Sequence, residues 1–139
     1  MSRMAARTYA FHKVYRHLMS AESEDILHDD LDVVGSDNEY AEAVLSGVIE
    51  HFDELREAVE LRATGYAIDR IYKVDLAILL VAAYEIMYTD ELSQKVASLN
   101  GLNKAIACNA AVELAKKYST IKSPSFINGV LAKINPKEV

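Results

Sequence analysis

The chain has 139 residues, of which 51% are hydrophobic and 26% charged, with five Gly, two Pro and a net charge of −6. That length fits one domain over residues 1–139, with a core that buries roughly 68% of the unfolded surface, and the composition excludes a disordered or fibrous protein. The lone Cys108 excludes an internal disulfide and a cysteine-rich zinc site, while the longest apolar run, Leu76 to Tyr88, is too short to span a bilayer and contains Glu85.

No uninterrupted apolar block follows Arg3 and Arg7, so a cytoplasmic location is expected. The charge is unevenly spread: +4 over residues 1–20, −8 over 21–39, −7 over 40–91 and +5 over 92–139. Overall acidity argues against a polyanionic partner, yet two basic ends make a local site for one if folding brings them together. Otherwise these charges are solvated surface.

Ala10, Phe11, Val14 and Leu18 recur at three- and four-residue intervals and predict an amphipathic first helix over 5–19. Residues 21–39 are too acidic for a core element and read as a surface connection, ending in a Ser-Asp-Asn-Glu cap at 36–39. A long helix follows, with Tyr40, Val44, Leu45, Val48, Ile49, Phe52, Leu55 and Val59 as its buried stripe and Gly65 near its end. Ile68 and Ile71 suggest a short helix. Val74 to Tyr88 is apolar almost all round, as the central helix of a bundle would be.

Polar residues around Asn100-Gly101 break the pattern and indicate a turn. A small-residue helix resumes over 105–118, with Ile106, Ala107, Ala110, Ala111, Leu114 and Tyr118 on one face. Ser123-Pro124 has the form of an N-cap with proline in the first helical position. Asn128-Gly129 would normally mark a hairpin, but Ile127, Val130, Leu131 and Ile134 keep helical spacing around it. Gly129 then costs ~1 kcal/mol relative to Ala, offset if it lets a neighbouring helix approach. The fold class is all-α, a compact multi-helix bundle.

His12, His17, His28 and His51 lack the spacing of a helical metal site, and no paired glycines form a phosphate loop. No metal, cofactor or catalytic residue is expected, and Cys108 reads as a small buried thiol.

Five segments in order, "RMAARTYAFHKVY", "YAEAVLSGV", "IDRIYKVDLAILLVAAYEIM", "ACNAAVELAKKY" and "FINGVLAKI", resemble the NusB transcription antitermination family over essentially the whole chain. The resemblance implies an all-helical, non-enzymatic bacterial protein that binds boxA-type RNA of ribosomal RNA leader transcripts together with the ribosomal protein NusE. Through them it acts indirectly on the RNA polymerase elongation complex. It implies RNA contacts at Arg3 and Arg7, which match the outer arginines of the N-terminal motif, and at Phe126, which matches the signature aromatic and either stacks on a base or packs in the core. Lys122, Ser123 and Ser125 flank a helix start, where free amides favour phosphate or simply need capping. Tyr15 and Glu85 match partner-facing positions, although Glu85 among apolar residues needs a cation and an internal pair would supply one.

Departures from the family pattern are Met4 and Ala5 in a thinned arginine cluster, Leu80 in place of an arginine, Ala110 in place of an acid, and about ten extra residues between Glu85 and Cys108. They favour, as the alternative, a divergent interaction module without sequence-specific RNA binding. A homodimer through the partner surface also stays open. Family-like domains precede ribosomal RNA cytosine methyltransferase domains, but the chain is expected to lack one. The RNA-binding reading expects the two basic ends to converge on one side of the bundle as a single docking strip.

Overall fold

The computed structural model describes residues 3–19, 36–64, 70–96 and 102–137, and among these the regular elements are seven helices. They are α1 (Arg3–Met19), α2 (Ser36–Glu50), α3 (Phe52–Arg62), α4 (Lys73–Met87), α5 (Thr89–Lys95), α6 (Lys104–Tyr118) and α7 (Ser123–Ala132). The expectations for the acidic connection before Ser36, for Gly65 and Ile68, and for Asn100-Gly101 lie outside the described residues. None of the described helices is long and apolar enough to cross a membrane.

α4 is the axle. Every residue from Val74 to Ile86 is buried, and α4 packs against each of the other six helices. Leu79, Leu80 and Ile78 are wholly enclosed, and each such side chain contributes about 1.5–3 kcal/mol relative to exposure. α1 buries Ala10, Phe11 and Val14 of the predicted stripe and Ala6 besides, while Leu18 is only partly buried, and α6 buries Ala107, Ala110, Ala111, Leu114 and Ala115. Small side chains let α6 sit close to its neighbours. Two expected core residues turn outward, Ile49 at 45% exposure and Ile106 at 42%. Each lies on the edge of its apolar stripe, where period alone does not separate core from rim.

The predicted long helix is broken at His51, whose backbone (φ −105°, ψ 25°) leaves the helical region between α2 and α3. The imidazole stacks on Tyr88 at 4.0 Å between centroids, and its Nε2 lies 3.1 Å from Glu91 Oε1. Tyr84 donates to Glu91 Oε2 at 2.7 Å. These contacts dock α5, for which the sequence pattern names no element of its own, and Leu92 and Val96 complete its burial. Glu91 is held below the ordinary carboxylate range: partial desolvation acts upward, but the Tyr84 hydroxyl, His51 and Lys95 outweigh it.

Gly47 allows α2 to approach α4, because a Cβ there would overlap the Tyr84 ring. Gly129 has no such role. A Cβ there would meet open space, and the exposed Asn128-Gly129 pair faces no neighbouring helix. Gly47→Ala should therefore destabilise the protein by about 1–3 kcal/mol through overpacking. Gly129→Ala should stabilise it by up to about 1 kcal/mol, with both changes read from denaturant midpoints.

Because Glu91 is lowered in the folded state, its contribution is present above its unfolded value and is lost as pH falls through the folded one. The acid-side loss of stability should be shallower in Glu91→Gln than in the parent, measured by urea unfolding between pH 6 and 3.

Candidate nucleic-acid interface

The start of α7 is fixed from below by a buried carboxylate. Asp75, in the first turn of α4, accepts from Ser119 Oγ at 2.5 Å and from Ser123 Oγ at 3.0 Å. Ser123 Oγ also accepts from the Thr120 backbone N–H at 3.2 Å. Ser123 is thus 1% exposed and lies inside the helix, with Lys122 in the capping position and Pro124 just behind. The expectation of Ser123 as a surface cap or phosphate ligand is corrected on this point, since its hydroxyl turns inward to Asp75. Lys122 and Ser125 are exposed, and Phe126 is half-buried, one side on the core.

Lys122 and Phe126 line a cleft of about 190 Å³ together with Arg70 and Tyr72, which lead into α4. Neither Arg70 nor Lys122 has an ion-pair partner among the described residues. Tyr72 is 54% exposed. Sequence reading missed Arg70 and Tyr72 because they lie about fifty residues from α7. The available signal was an aromatic and a base just before a helix that otherwise has to be buried.

A second polar cluster sits at the other end of α4. Arg7 Nε donates to Glu85 Oε2 at 2.9 Å, the Tyr40 hydroxyl donates to the same oxygen, and Arg7 Nη2 reaches the Tyr40 hydroxyl at 3.5 Å. Arg7 is 6% exposed and Glu85 1%. Burial lifts the Glu85 carboxyl above the ordinary carboxylate range, against the pull of Arg7 and Tyr40. Burial followed by the Glu85 charge holds the Tyr40 phenol well above its usual range, so it stays a neutral donor. Desolvation acts to lower Arg7, but Glu85 and Tyr40 more than offset it and the guanidinium remains charged. Arg3 lies over the Tyr40 ring at 4.0 Å.

The internal pair left open by the sequence is therefore what forms. Arg7 is not a surface phosphate ligand here, and Glu85 offers no face to a partner, because each satisfies the other in the interior. Tyr15 is half-buried against the core, about 12 Å farther along α1 than Arg7, so it is not grouped with Glu85. The basic ends also do not merge as expected. Ser123 belongs to Asp75 and Arg7 to Glu85, ten residues apart on α4, or about 15 Å. The terminal regions touch instead through Phe11 and His12, whose rings lie 5.4 and 5.0 Å from that of Tyr118. Three C-terminal lysines hold the chain itself: Lys104 donates to the Ala132 carbonyl, Lys133 to Thr64, and Lys137 to Glu54 and Tyr88.

Among the described residues, Glu50, His51 and Glu91 bring metal-type ligand atoms within 4.8 Å of one another. His51 and Tyr84 already bond Glu91 and Lys95 lies 3.8 Å from it, so the group works as a clamp on α5.

A bundle wrapped around a buried helix, with two polar clusters closed on themselves and a cleft carrying two bases and two aromatic rings at one edge, defines a protein of the all-helical class. The NusB family profile matches residues 4–136. The transcription antitermination protein NusB of Agathobacter rectalis is 37% identical over 139 aligned residues, covering 96% of this chain and 98% of that protein. Among solved structures, T. maritima NusB superposes with a TM-score of 0.82 at 22% identity, covering 96% of this chain and 90% of that one. A crystal structure of antitermination factors NusB and NusE in complex with dsRNA matches with a TM-score of 0.77 at 23% identity, covering 95% and 94%. The chain belongs to the NusB family, whose members are transcription antitermination factors and not enzymes.

Removing one partner of the buried pair leaves an uncompensated charge. Arg7→Met should destabilise the protein by about 3–5 kcal/mol, whereas Arg7→Met combined with Glu85→Leu should recover most of that loss in equilibrium unfolding.

Proposed function

We propose that the protein binds boxA-type RNA of ribosomal RNA leader transcripts together with NusE, and so helps RNA polymerase resist premature termination in the bacterial cytoplasm. The reading is supported by family membership and by the neighbour of known structure that holds NusE and RNA. The observation that carries it is the edge at the start of α7, where exposed Lys122 and Ser125 flank the half-buried Phe126. A cation and an aromatic face side by side suit a single strand, whose phosphates need charge and whose unpaired bases can stack.

Lys122, Ser125 and Phe126 are the RNA contacts, and Arg3 is an outlying one at the far end of α4. Arg7, Glu85 and Ser123 are supports that hold these helices in place, and Tyr15 belongs to the NusE-facing side. A protein-interaction module without RNA binding is the second reading. It is favoured by the ion pairs of Arg7 with Glu85 and of Lys137 with Glu54, which leave less unpaired cationic charge than the sequence suggests.

A salt series separates the two. Affinity for boxA RNA should fall as salt rises, and Lys122→Ala with Arg3→Ala should flatten the log–log slope by about 0.7 for each phosphate no longer neutralised. Absence of RNA binding at low salt, with and without NusE, would leave the module reading.

A further inference from the structure

We propose that the cleft between the start of α4 and the start of α7 holds one unpaired base of the bound RNA, with Tyr72 and Arg70 as the contacts that complete it. This rests on the RNA-binding reading above and adds to it a second wall from a different part of the chain. The cleft is about 190 Å³, below the range of roughly 300–1,000 Å³ typical of sites for drug-sized ligands. It therefore takes a single planar ring and not a whole nucleotide.

The distribution of charge decides which part of a nucleotide goes inside. Asp75 lines the cleft, and its carboxylate repels a phosphate that enters deeply. Arg70 and Lys122 are exposed and without ion-pair partners among the described residues, so they attract phosphate to the edge. The two rings in the lining are those of Tyr72 and Phe126, with Ile71, Thr120 and Ser123 between the charged groups. A ring inside with phosphates outside is the arrangement that satisfies all of these groups, and every base has a π-face to offer. The walls are set independently of any ligand: Ser123 on Asp75 fixes α7, and burial of Ile71 at 3% exposure fixes the segment that carries Arg70 and Tyr72.

Tyr72 is the residue to test, because it is largely exposed and caps nothing with its side chain, so its loss leaves the core intact. The full chain would be titrated with single-stranded boxA RNA by fluorescence anisotropy, using intact RNA and a set of RNAs each carrying one abasic site. One abasic position should weaken the parent protein about tenfold, and Tyr72→Ala should weaken intact RNA by a similar factor. At that position the two losses should not multiply, since both remove the same stack. Tyr72→Phe should bind like the parent, and Arg70→Ala should lower the salt dependence without changing which abasic position matters. If RNA binds the parent but Tyr72→Ala binds it equally well, or loses a further tenfold at every abasic position, the cleft proposal falls and the functional reading stands. If the parent binds no RNA with or without NusE, both fall.

Discussion

α4 is surrounded on all sides, and two of the residues it takes into the interior are carboxylates. A charge removed from water is tolerated only where partners replace the water, so Asp75 and Glu85 dictate what must arrive at each end of the helix. At the Glu85 end the partners are a guanidinium and a phenol, brought by α1 and α2. At the Asp75 end they are two serine hydroxyls from the junction of α6 and α7. The register of four helices against the axle follows from these two sets of bonds, while the apolar contacts between them supply most of the stabilisation.

This arrangement divides the basic residues by task. Arg7 is paired with Glu85 in the interior, whereas Lys104, Lys133 and Lys137 hold the chain from the surface. Lys122 and Arg70 are left at an edge whose geometry the Asp75 network fixes. A net negative protein can still present a small positive site where two exposed bases meet without ion-pair partners among the described residues.

The stretch after α4 extends the same logic. α5 folds back on the junction of α2 and α3 and is held there by His51, Glu91 and Tyr84, with Leu92 beneath. The break at His51 gives the imidazole a position from which it can stack on Tyr88 and face Glu91, which a continuous helix would not provide. The described part of the stretch between α4 and α6 is therefore packed structure.

Helix identity and class were legible in the sequence, because apolar spacing reports directly on which face a helix must bury. α1, α4, α6 and α7 were found on that basis, and the family was recognisable from short segments in order. Tertiary structure alone decided the rest. Whether Arg7 and Glu85 face solvent or each other depends on a contact across 78 residues, and no local pattern encodes it. The same holds for Gly47 against Tyr84, for His51 against Glu91, and for the meeting of Arg70 and Tyr72 with Phe126. Periodicity fixes what a segment buries, but only the packing of segments fixes which polar groups are left over to bind something else.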